Sequence, residues 1–129
     1  KEFDDRVAKV IRQYEVEFKD RGDVTPSDPL KFHLFHLARY WSRLVGFCQH
    51  VKDVPSSFVE GDLGACVKVG SDYANNLIDS SSPIFDLWQD YWKKTQAVLF
   101  EKPVSVEQVE EASSAFDACL TELKYDPWG

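Results

Sequence analysis

The side chains best suited to chemistry are concentrated between Pro29 and Lys52. All three histidines, His33, His36 and His50, lie in this stretch, and no Asp or Glu does. Lys31, Arg39, Arg43 and Lys52 give it a formal +4 within a chain of net charge −7, which leaves −11 for everything else. At about 100° per residue the stretch has two distinct faces. Leu30, Leu34, Leu37, Ala38, Trp41, Leu44, Val45, Cys48 and Val51 fall in one apolar arc, the ordinary core stripe of a helix. Phe32, Phe35, His36, Arg39, Tyr40, Arg43, Phe47 and His50 gather on the other side, as an aromatic face that carries cations. The back of a solvated helix reads Glu, Lys, Gln and Ser, so this face predicts a second neighbour.

What these groups could do is limited. Arg39 and Arg43, at i and i+4, repel each other on an isolated helix and call for acidic company. Ion pairs with Glu or Asp of adjacent helices are the plainest expectation, because the −11 remainder supplies them. The functional alternative is a groove for an anionic group: a phosphorylated ligand, a nucleic-acid backbone or an acidic peptide. Arg39, Arg43, His36 and His50 would hold the charge, and Phe32 and Phe35 would pack the rest. Zinc needs three or four ligands converging at ~2.0–2.3 Å. The histidines have no neighbouring cysteine pair and no carboxylate in their own stretch, so neither a metal nor a cofactor is expected.

Catalytic patterns are missing as well. The chain shows no Ser/His/Asp or Cys/His grouping with supporting context, no phosphate-binding glycine loop and no HExxH. Gly61-Asp-Leu-Gly64 lacks the preceding strand that a dinucleotide fingerprint requires. Arg21-Gly22-Asp23 is the integrin-type tripeptide, a three-residue match that chance readily produces. Trp88, Tyr91 and Trp92 sit at helical spacing and read as core before they read as a ligand cage.

The elements that must position these residues are helices. Phe3, Val7, Val10, Ile11, Tyr14 and Phe18 share one arc, which predicts an amphipathic helix over 2–20. Asp28–Pro29 is an N-cap followed by Pro at the first helical position, opening the 29–52 helix, and Pro55 closes it. Ser57-Phe-Val-Glu60 is a capping box that opens a third helix to about Asp79. Gly61, Gly64 and Gly70 weaken that segment. Either the small residues Gly61, Gly64 and Ala65 let another helix approach closely, or the helix begins nearer Ala65. Ser82–Pro83 opens a fourth helix to about Phe100, Pro103 breaks it, and the capping box Ser105–Gln108 opens a fifth with Val109, Ala112, Phe116, Cys119, Leu120 and Leu123 on its stripe. The tail ends in Trp128.

With 129 residues, 43% of them hydrophobic and 29% charged, the chain has the size and composition of one globular domain. The sequence pI of about 4.9 argues against broad binding to nucleic acid or an anionic membrane. No run approaches the ~18 apolar residues of a membrane span. Methionine is absent and the chain opens on Lys1, so it is expected to be a processed product or part of a longer polypeptide. Cys48, Cys66 and Cys119 form an odd set on apolar stretches and are expected to be buried and reduced. That favours a cytoplasmic setting, with a secreted or processed chain as the other option. The expected fold is therefore all-α: one compact bundle of about five antiparallel helices, with the second helix, about 29–52, central. The expected function is a non-enzymatic interaction domain that binds another protein (an adaptor, regulator, effector or inhibitor). The alternative is a bundle that recognises an anionic or phosphorylated ligand through Arg39, Arg43 and His36.

Overall fold

The computed structural model describes residues 28–100 and 104–127, together with Ala8, Lys9 and Arg12. These residues are mostly helical, with almost no strand. Four long helices account for most of them: α1 (Pro29–Cys48), α3 (Asp62–Leu77), α4 (Phe85–Phe100) and α5 (Val106–Leu123). A single turn, α2 (Ser56–Val59), precedes α3, and two-residue strands β1 (Asp53–Val54) and β2 (Val104–Ser105) pair antiparallel across the ends of the long helices. Of the helix expected over 2–20, only Ala8, Lys9 and Arg12 are described, all helical and exposed. The Arg21-Gly22-Asp23 tripeptide and Trp128 lie outside the described residues.

Local chemistry explains most boundaries. Asp28 Oδ1 accepts from the backbone N–H of Leu30 and Lys31, and Pro29 begins α1, as the cap-plus-Pro signal predicts. The helix stops at Cys48, four residues short of the expected Lys52, because Val51–Val54 turns into the β-bridge. Ser105 caps α5, and the reciprocal bonds with Gln108 complete the capping box. The third segment differs from its prediction. Ser57 lies inside α2 rather than at its cap, and α3 starts afresh at Asp62 behind Gly61, without a side-chain cap. Gly64 explains why this break is compact: a Cβ there would collide with the Val59 carbonyl oxygen. The close neighbour that this glycine admits is the preceding turn of its own chain.

Packing follows the apolar stripes. Helix α1 lies against both α3 and α5, and α4 packs chiefly on α5. Leu34, Leu37, Trp41 and Leu44 of α1 meet Val67 and Ala74 of α3, Trp88, Tyr91 and Val98 of α4, and Phe116 and Cys119 of α5 in one buried cluster. At its centre the Tyr91 ring touches Trp41, Trp88 and Phe116, with centroids 6.0, 4.6 and 5.4 Å apart. Its hydroxyl accepts from Trp41 Nε1 at 2.9 Å and bonds Ser71 Oγ at 2.7 Å, so one oxygen joins α1, α3 and α4. Burial pushes the Tyr91 phenol up to about 12 despite those bonds, which keeps it neutral.

Candidate functional site

The cationic aromatic face of α1 does not form a single open surface. His36 is 1% exposed and Phe35 and Tyr40 are buried, whereas Phe32 and Arg39 are half-buried and Arg43 and His50 are exposed. The rings of Phe32 and Phe35 meet His36 edge-on at 4.8 and 5.3 Å. Arg39 stands 3.6 Å over the Phe35 ring and donates to the Phe35 carbonyl at 3.2 Å. Phe32, His33, His36, Arg39, Tyr40 and Phe47 each have a further polar, ionic or ring contact, so this face is engaged. The structure therefore brings Phe32, Phe35, His36 and Arg39 together as packed groups. Arg43 stands apart over Tyr40, and His50 lies in the turn beyond the helix end.

His33 lies on the α3 side of α1, stacked on Tyr73 with centroids 5.0 Å apart. Burial lowers its pKa from 6.5 to about 4, so it is neutral at physiological pH. The cysteines are free and buried. Burial raises the Cys119 thiol to about 12, with the Asp90 charge adding to it, and raises Cys48, with Glu110 adding to it. Such thiols are poor nucleophiles. Among the described residues no three His, Cys, Asp or Glu side chains cluster closely enough to hold a metal ion, and no helix is long and apolar enough to cross a membrane.

The feature that sequence reasoning missed is the seam between α1 and α5. There the two helices leave an open trough of about 410 Å³. Ala38, Trp41, Val45 and Gly46 of α1 and Phe116 of α5 line it. Ser42 and Gln49 form one lip, and Ser113 and Asp117 form the other. A smaller hollow continues it past Val45 and Gln49 to Glu110. Ala38, Ser42 and Gly46 are four residues apart and so stack on one side of α1, which keeps that wall low. The spacing is legible in the sequence, but Ala38 belongs to the apolar core arc while Ser42 and Gly46 belong to neither face.

Electrostatics distinguish the two walls. Helix α5 carries Glu107, Glu110, Glu111, Asp117 and Glu122 and not one Lys or Arg. Among the described residues none of these carboxylates is in an ion pair; the pairs seen there are Lys68–Asp72 and Lys94–Asp90, each within one helix. Arg43, expected to pair with such acids, lies instead over the Tyr40 ring at 5.9 Å. Partial burial raises the Asp117 carboxyl above its ordinary value, with no paired cation among the described residues to offset the loss of water. No family model matches this chain, and neither the curated proteins nor the solved structures contain one similar to it.

Proposed function

We propose that the chain is a non-enzymatic interaction domain that binds another protein. The observation that carries this reading is the separation of charge between two helices in direct contact. Helix α1 has only cations and α5 only anions, yet the cations of α1 lie over rings (Arg39 on Phe35, Arg43 on Tyr40, Lys31 5.7 Å from Tyr125) while the carboxylates of α5 face solvent. Charge of one sign that is unpaired among the described residues, lying beside a trough, suits recognition, since complementary fields steer a partner and reject wrong ones. By contrast, the buried Tyr91 hydroxyl serves the fold, bonding both Trp41 Nε1 and Ser71 Oγ. The same reading keeps the larger architecture expected from sequence, five helices with the segment from Pro29 in the middle.

An anion site built from His36, Arg39 and Arg43 has less in its favour, because His36 is buried among rings and the two guanidiniums occupy different surroundings. The two readings separate by experiment. The full chain is used as bait in an extract of its source, each captured protein is purified, and binding is re-measured between pure components by calorimetry. Reconstitution with micromolar or tighter Kd is the expected result. If no purified protein binds, and phosphate-bearing compounds instead raise Tm in a way that Arg39→Ala/Arg43→Ala abolishes, the anion reading replaces this one.

A further inference from the structure

Gly46 is the entry point, because the fold gives it no task. A glycine inside a helix costs up to about 1 kcal/mol against alanine. Two other helical glycines have a reason to be there: a Cβ at Gly64 would collide with the Val59 backbone, and one at Gly70 would come within 2.9 Å of Leu37 Cδ2. A Cβ at Gly46 would meet nothing within 4 Å. Its missing side chain opens onto the trough, in line with Ala38 and Ser42. The described residues leave this space open.

We infer that the trough between α1 and α5 is a docking site for a helix of a partner protein, one that lays small apolar residues on the Ala38–Gly46 wall and directs Lys or Arg at Asp117 and Glu110. This deepens the interaction-domain reading and rests on it. A helix fits better than an extended strand. The trough offers no sheet edge, so an occupant must satisfy its own backbone hydrogen bonds. Low walls of Ala, Ser and Gly also let a third helix axis come close. The sign of the partner follows from α5. Its carboxylates have no cations among the described residues, and Asp117 on the lip is already partly stripped of water, so a cation delivered there regains what burial cost it. An acidic helix, or a nucleic-acid backbone, would meet repulsion along the same wall.

The test uses the full chain and a displayed library of 21-residue helices, randomised on one face and selected for binding. The expected winners carry Ala, Gly or Ser at the contact positions and Lys or Arg along one edge. Their affinity should fall at least tenfold on Gly46→Leu, which fills the trough where nothing in the fold objects, and at least tenfold on Asp117→Lys. Circular dichroism serves as the control that both variants keep their helix content. Amide shifts of the labelled chain should change at Ala38, Ser42, Gly46 and Ser113. The proposal is overturned if no helix is enriched, if the winners are acidic, or if they bind both variants as tightly as the parent. It is also overturned if a reconstituted natural partner ignores both substitutions, an outcome that leaves the interaction-domain reading standing.

Discussion

Helix α1 makes two seams that differ in what they do with small residues and polar groups. On the α3 side, Gly70 accepts the Leu37 side chain and the hydroxyl of Tyr91 binds Trp41 and Ser71. The space beside Gly70 is filled, and each polar atom named has a partner. On the α5 side, Gly46 faces open space and Asp117 has no cation among the described residues. Both seams contain a glycine in a helix, so the residue type alone says little. What surrounds the absent Cβ decides whether a small residue belongs to the fold or to an encounter.

Tyr91→Phe should produce the largest effect that bears on this contrast. The ring and its packing against Trp88 and Phe116 stay, but Trp41 Nε1 and Ser71 Oγ lose their shared partner inside the core. Each buried polar group left unsatisfied costs about 1–3 kcal/mol, so a loss on the order of 2–4 kcal/mol is expected in urea denaturation. A change below about 0.5 kcal/mol would show that the hydroxyl contributes no net stability, and the filled seam would then be held by apolar contact alone. Next comes Gly70→Ala. The new methyl would press on Leu37 at 2.9 Å, and Leu37 is fully buried, so crowding of about 1–2 kcal/mol should exceed the gain in helix propensity. A stabilised Gly70→Ala would mean that Leu37 moves aside freely.

Acid should act on the two seams in opposite directions. His33 titrates near 4 in the folded chain and near 6.5 when unfolded. Between those values the unfolded state holds more protons, so this contribution to stability is complete above pH 6.5 and is lost as the pH falls toward 4. With its partial exposure and salt screening allowed for, the loss is on the order of 1 kcal/mol, and His33→Gln should flatten that part of the stability profile. Asp117 has a raised folded value, so its ionisation disfavours folding at neutral pH and the penalty is relieved as the pH falls. Asp117→Asn should therefore raise Tm slightly at pH 7 and not at pH 3. If both substitutions change the profile in the same direction, the electrostatic contrast between the seams is wrong.

The helices were legible because their signals are local. Asp28–Pro29 and Ser105–Gln108 are caps whose bonds close within three residues, and Phe116 with Cys119 and Leu120 marks the core side of α5 without reference to anything distant. Three features resisted. The bridge of Asp53–Val54 with Val104–Ser105 joins segments about fifty residues apart and is too short for an alternating pattern. Gly64 looked like a contact with another helix, because sequence cannot show that the chain folds back through Val59. Helical spacing makes the cationic aromatic face of α1 one unit, but burial divides it: His36 goes inside, and Arg43 goes to solvent over Tyr40. The partners of a cation depend on tertiary placement, which spacing does not encode.

The smallest expected effect is also the most discriminating, because its sign is opposite to that at Gly70. Gly46→Ala adds a methyl group where nothing lies within 4 Å, and removes backbone freedom from the unfolded chain. It should stabilise the isolated protein by about 0.5–1 kcal/mol, less if the nearby helix end frays, and raise Tm by a few degrees. Alanine is small enough to leave most of the trough open, so a docked helix should weaken only modestly, whereas leucine should exclude it. A series of Gly, Ala, Val and Leu at position 46 would then show stability of the free chain holding or rising while partner affinity falls with side-chain size. If stability falls along the series instead, position 46 is packed by the fold itself. Gly46 would then join Gly64 and Gly70 as a structural glycine, and the two seams of α1 would be alike.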